Sequence, residues 1–121
     1  MKKIFVLLIG LAAAGQVFAQ AVTNAVVCAG PASAGNGNLV PGGTSFVRTD
    51  ILPKCSANVF MNYSQTDNGF AVAANSRKGK YIFTGNTGGG AVGPNGGVCA
   101  ASQCDAAQLA TPLATALAAA T

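Results

Sequence analysis

The Asn68-Gly69 pair, set between two runs of alternating apolar and polar residues, constrains this chain more than any other feature. A tight hairpin loop requires positive φ at its central positions, and Asn-Gly meets that need at little steric cost. Before the pair, Ala57, Val59, Met61 and Tyr63 alternate with Asn58, Phe60 and Asn62; after it come Phe70, Val72 and Ala74. A two-residue loop pairs Asp67 with Phe70, Gln65 with Val72 and Tyr63 with Ala74. This register puts the apolar residues of both runs on one face, whereas a loop longer by one residue would split them.

The next turn, Ser76-Arg77-Lys78-Gly79, pairs Ala74 with Tyr81 and Val72 with Phe83 when read as a four-residue loop. The expectation is an antiparallel meander with strands at about 57–65, 70–75 and 80–84. Its other face carries Phe60, Ala71, Ala73 and Ile82 among polar residues, and so calls for a cover.

Residues 20–28 read as a further strand, 29–43 as loop, and Thr44–Thr49 as a short strand before Pro53. Residues 88–97 are rich in glycine and read as a loop. The tail, 101–121, is helical in character. Ser102 and Asp105 have capping-box spacing, with Asp in place of the usual Glu or Gln. Leu109, Leu113 and Leu117 form one apolar stripe. Pro112 interrupts it, so Thr111 is expected to cap a second short helix with Pro112 at its first position. The stripe is expected to pack on the sheet. The fold class is therefore mainly β, at the margin of α+β: a small antiparallel sheet with disulfides and a short C-terminal helical segment.

The first 19 residues have the form of a secretory signal peptide. Lys2 and Lys3 precede an apolar run from Ile4 to Ala14, and Val17-Phe18-Ala19 supplies a cleavage site before Gln20. The run is too short to span a bilayer. What remains, 20–121, is one small domain. An even number of cysteines in a small exported chain points to disulfides. The favoured pairing is Cys28–Cys55 with Cys99–Cys104; the nested alternative is Cys28–Cys104 with Cys55–Cys99.

Composition removes most chemistry. The chain has no His, and its three acidic residues are Asp50, Asp67 and Asp105. Without His there is no Ser/His/Asp or Cys/His arrangement. Asp67 lies in a turn and Asp105 at a helix start, which leaves no carboxylate pair for glycoside chemistry. Lys54 and Ser56 are close in sequence, but nothing marks a lysine with a lowered pKa. Cys99 and Cys104 have four residues between them, not the two of a thioredoxin-like site. The glycine-rich run from Gly85 lacks the Gly-Lys-Ser/Thr of a phosphate loop. No catalytic residue, metal or cofactor is expected.

After the leader, five basic residues face three acidic ones, too weak a balance for nucleic acid. The one charge cluster is Arg77, Lys78 and Lys80, beside Tyr81. Chaperone–usher pilins share the small, exported, disulfide-bonded character of this chain. They end in an aromatic-containing β segment, whereas Leu113–Thr121 reads as helix, so no family is assigned. The sequence reads as a non-enzymatic exported protein of the envelope or cell surface. It is expected to act through protein contacts, with itself or another envelope component, and without a transmembrane span. The alternative is a small secreted binding module that uses the Arg77–Lys80 tip for an anionic partner. Periplasm, cell surface and extracellular space all fit.

Overall fold

The computed structural model describes residues 21–43 and 45–121. The leader expected over 1–19 lies outside the described residues. Four strands make the main sheet: β1 (Val22–Ala29), β4 (Val59–Gln65), β5 (Phe70–Ser76) and β6 (Phe83–Asn86), in the order β1-β4-β5-β6 with every neighbour antiparallel. Two short strands, β2 (Gly35–Asn36) and β3 (Lys54–Cys55), pair separately. A 3-10 helix (Ala106–Leu109) runs directly into α1 (Ala110–Ala118). The fold is mainly β with one short C-terminal helix.

The expected meander is present, but both hairpins differ in register by two residues. Gln65 faces Phe70, Tyr63 faces Val72 and Met61 faces Ala74. The Asn-Gly pair sits in a four-residue loop, Thr66 to Gly69, because Thr66 N–H donates to the Gly69 carbonyl (2.9 Å) and the Thr66 hydroxyl accepts from Gly69 N–H (3.2 Å). In the second hairpin Ala74 faces Phe83 and Val72 faces Gly85. Lys80 to Ile82 leave β5 and pair instead with the chain near Cys99: Cys99 N–H donates to the Lys80 carbonyl, and Ile82 N–H to the Gly97 carbonyl. A shift of two keeps side-chain parity, so the face assignments survive.

The face that carries Phe60, Ala71, Ala73 and Ile82 lies beneath the helical tail. These residues form one core with Leu109, Leu113, Ala116 and the Cys99–Cys104 disulfide. Leu109 and Leu113 are almost fully buried. The polar residues of that face are buried too and tie down neighbouring elements. Asn75 Nδ2 donates to the Asp105 carbonyl, Asn62 Nδ2 to Asn24 Oδ1, and Asn24 N–H to the Ser64 hydroxyl.

Asp105 itself is the N-cap, its carboxylate accepting from Gln108 N–H at 3.2 Å. The box led by Ser102 is replaced by this simpler cap. Thr111 is not a cap either. It lies inside α1, where its carbonyl accepts from the Thr115 hydroxyl, and Pro112 falls in the first turn, which tolerates a missing N–H.

The opposite face is covered over part of its area by residues 30–55, here termed the arm. Val40, Val47 and Cys55 of the arm form a second core with Val27, Cys28 and Tyr63. No strand forms over 45–49, and Thr44 lies outside the described residues. Instead Val40 bridges Ile51, Val47 N–H donates to the side chain of buried Gln65, and Phe46 N–H donates to the Thr66 carbonyl. The Cys28–Cys55 disulfide closes the arm against β1.

Two register shifts in β1 account for the adjacent burial of Val27 and Cys28, since each bulge inserts one residue and resets the face. The first bulge contains Asn24 at φ 50°, a left-handed conformation that Asn adopts more readily than most residues.

Residues 93–99 run along the outer edge of β6. Thr84 and Gly93 exchange both backbone hydrogen bonds, and Gly96 N–H donates to the Ile82 carbonyl. Gly96 is required by this approach: a Cβ there would stand 2.6 Å from Ile82 Cγ2. The glycine-rich segment is a loop, as read from the sequence, and it also blocks the sheet edge.

Two measurements check this architecture. Replacing Leu113 with Ala should cost about 2–5 kcal/mol, seen as a lower urea midpoint at unchanged slope. Trypsin cleaves after Arg48, Lys54, Arg77 and Lys80, so the non-reduced digest should join the Cys28 and Cys55 peptides and leave Cys99 and Cys104 bridged within one peptide. A nested pairing would join all three peptides.

Candidate contact surface

The arm covers the open face near Tyr63 and Phe70 and stops short of the other end. Tyr63 is buried and stacks on Phe70 with ring centroids 5.6 Å apart. Burial raises the Tyr63 phenol above its ordinary value of 10.0, because desolvation penalises the phenolate. Met61 and Val72 are partly buried against the core beneath the arm, and beyond it Val59 and Ala74 are also only partly buried. Next to them the exposure rises: Phe83 is 46% exposed, Tyr81 47%, Val98 54% and Val92 70%.

These residues share one side of the sheet. Phe83 faces Ala74 across the ladder, Tyr81 bridges Val98, and Val92 lies over Gly85, where a Cβ would stand 2.7 Å from its Cγ2. A shallow hollow of about 230 Å³ opens among Val59, Ala74, Ser76 and Phe83. The arm adds exposed Leu39, Phe46, Ile51 and Leu52 on this side. The helix adds no large exposed hydrophobic residue.

The basic tip closes one end of the open face. The turn is held by Gly79 N–H donating to the Ser76 carbonyl (2.7 Å) and Arg77 N–H donating to the Asn58 carbonyl (2.9 Å). The Arg77 guanidinium lies 5.3 Å from the centroid of the Phe60 ring, a cation–π distance. Arg77 therefore turns toward the ring of a helix-side core residue, and it remains exposed, as do Lys78, Lys80 and Tyr81. The sequence grouped all four residues; all four are exposed, and Arg77 alone packs on an aromatic ring. The apolar strip beside the tip was overlooked because alternation assigned its residues to a face without showing how far a cover would reach.

The residues weighed for catalysis hold loops together. Asp50 Oδ1 accepts from Gly42 N–H at 2.7 Å, Lys54 Nζ donates to Asn36 Oδ1, and the Ser56 carbonyl accepts from Val59 N–H. All four cysteines are in disulfides. Among the described residues no three His, Cys, Asp or Glu side chains come together as a metal site. Two grooves flank the helix, of about 300 and 330 Å³, and no ionisable side chain lines either. Both are walled by apolar Ala and by Thr and Asn, which can donate and accept hydrogen bonds but do not titrate near neutral pH.

Two disulfides are the mark of an oxidising, exported environment. Among the described residues no helix is long and apolar enough to cross a membrane. No family model, curated protein or solved structure matches the chain.

The burial of Tyr63 has a measurable sign. The fold favours the protonated phenol, so this contribution is complete below pH 10.0 and is lost as pH rises from there through the folded-state value. A phenolate absorbance titration should show a component that ionises above 10.0 and disappears in Tyr63→Phe, and the variant's stability should fall less steeply above pH 10.0.

Proposed function

We propose that this chain is a non-enzymatic exported protein of the cell envelope or surface that works by contact, through the open sheet face and the arm beside it. The observation that carries this reading is the uneven placement of large exposed hydrophobics. Tyr81, Phe83, Val92 and Val98 sit on or beside the open face, four more sit on the arm, and Val26 at the β1 edge is the exception. A concentrated apolar patch on a small domain marks an interaction site.

The covered β6 edge favours contact through a face over strand addition. The grooves favour no acid–base chemistry, since they lack ionisable side chains. The alternative, a module that uses the Arg77–Lys80 tip for an anionic partner, draws on the same region, because Lys80 leads directly into Tyr81.

The test compares an open-face variant with a helix-face control. Phe83→Ser combined with Val98→Ser should release the exported protein from the envelope fraction into the soluble fraction. Thr115→Ala on the helix should leave it in place. Light scattering on the purified protein adds a second arm: a second copy as partner would give a concentration-dependent dimer that Phe83→Ser abolishes. Unchanged partitioning and unchanged mass in the open-face variant would defeat the reading.

A further inference from the structure

Three asparagines precede a glycine: Asn36, Asn68 and Asn95. Asparagine is among the thermolabile residues, because the backbone nitrogen that follows it can attack its carboxamide. Glycine, with no Cβ, leaves that nitrogen the least hindered. The attack needs the glycine N–H to be freed from its hydrogen bond, and the three sites differ in what holds it.

Gly37 N–H donates to the Pro53 carbonyl at 2.8 Å, and Asn36 Oδ1 accepts from Lys54 Nζ within the β2–β3 ladder. Gly96 N–H donates to the Ile82 carbonyl at 3.0 Å, inside the segment that lies along β6. Freeing either nitrogen requires two backbone segments to part. Gly69 N–H has a different acceptor, the Thr66 hydroxyl at 3.2 Å, in its own four-residue loop. Rotation of one side chain breaks that bond. Asn68 is exposed, and its carboxamide has no hydrogen-bond partner among the described residues.

We propose that Asn68 is the site at which this chain modifies itself by loss of ammonia, and that the change loosens the joint where both covers are fastened. The Gly69 nitrogen loses its proton and bonds to Asn68 Cγ. The bond from Cγ to the carboxamide nitrogen breaks, and that nitrogen takes up a proton and leaves as ammonia. Water then opens the succinimide at either carbonyl. Opening at the side-chain carbonyl leaves Asp; opening at the main-chain carbonyl leaves isoaspartate, whose main chain is longer. The net reaction consumes water and releases ammonia.

Either product disturbs packed contacts. Gly69 is buried against the end of the helical tail, where a Cβ would stand 2.8 Å from the Ala120 carbonyl oxygen. The Thr66 carbonyl accepts from Phe46 N–H of the arm at 3.2 Å. Isoaspartate lengthens the chain between these anchors. Asp adds a carboxylate beside Asp67 and next to a residue that touches the helix C-terminus, an end that disfavours anions and has no basic residue in its last turn. The inference is independent of the contact reading, since this loop lies at the opposite end of β4 and β5 from the Arg77–Lys80 turn.

The experiment ages the oxidised chain, purified after export, in warm, mildly alkaline buffer. Trypsin digestion, reduction and tandem mass spectrometry then follow each asparagine. Cleavage after Arg48, Lys54, Arg77 and Lys80 puts Asn36, Asn68 and Asn95 in separate peptides. In the folded protein Asn68 should convert about fivefold faster than Asn36 or Asn95, the factor that the net strength of a typical hydrogen bond supplies. In concentrated urea the three rates should converge. Thr66→Val, which removes the acceptor of Gly69 N–H, should quicken conversion at Asn68 alone. In the converted protein the Ala119 and Ala120 amides should lose hydrogen-exchange protection relative to fresh protein. Asn68→Gln should age without that loss; circular dichroism checks its fold, and the comparison of fresh with converted protein decides the matter if it is not folded.

Equal rates at the three sites in the folded protein, or a lead by Asn36 or Asn95, overturns the assignment. So does a lead by Asn68 that persists undiminished in urea, since the ranking would then belong to local sequence and not to the fold. Conversion at Asn68 that leaves Ala119 and Ala120 exchange untouched overturns the coupling to the helix.

Discussion

Both faces of the central hairpin carry apolar side chains, and the whole structure is an answer to that. A strand pair with Phe60, Ala71 and Ala73 on one side and Met61, Tyr63 and Val72 on the other cannot be stable with either side in water. Each face needs a cover from elsewhere in the chain. The C-terminal helix supplies one with Leu109 and Leu113, and the arm supplies the other with Val40 and Val47. The disulfides act where these covers join the sheet. In the chain-entropy account, closing 28 residues between Cys28 and Cys55 contributes about 3–4 kcal/mol, and closing six between Cys99 and Cys104 about 2. Those are large amounts in a domain whose total stability is about 5–15 kcal/mol.

The covers are unequal, and the contact reading follows from the difference. The helix covers its side so fully that Asn62, Ser64 and Asn75 are also buried there. The arm is anchored at the Tyr63 end through Gln65 and Thr66 and does not reach Phe83. At the same time the glycine-rich segment seals the outer edge of β6. The chain therefore hides the β6 edge, where uncontrolled pairing could start, and leaves part of a face uncovered. Phe60 links the two sides: its ring lies so close to Gly30 that a Cβ there would stand 2.3 Å from Cε1, and it also holds the Arg77 guanidinium.

Several sequence readings held because they depend on parity, and others missed because they depend on exact length. The two hairpin registers are each displaced by two residues, yet every side chain stays on its expected face. The strand read over Thr44–Thr49 is an arm segment that takes its hydrogen bonds from Gln65 and Thr66, partners distant in sequence. Asp105 is the helix cap that its spacing suggested only as part of a box. All four tip residues stay exposed, and Arg77 is drawn to a ring that no local pattern connects to it.

The sequence by itself determined the alternation that assigns side chains to two sheet faces, the helical stripe of leucines, the four cysteines and the scarcity of titratable groups. All of these are properties of spacing or composition and can be read one segment at a time. Only the tertiary structure decided how far each cover extends, which edge is sealed and where the apolar strip is left open. Those outcomes depend on contacts between segments tens of residues apart, such as the arm on Gln65 and residues 93–99 on β6. They are set by chain length and packing volume across the whole domain, and no local pattern encodes either.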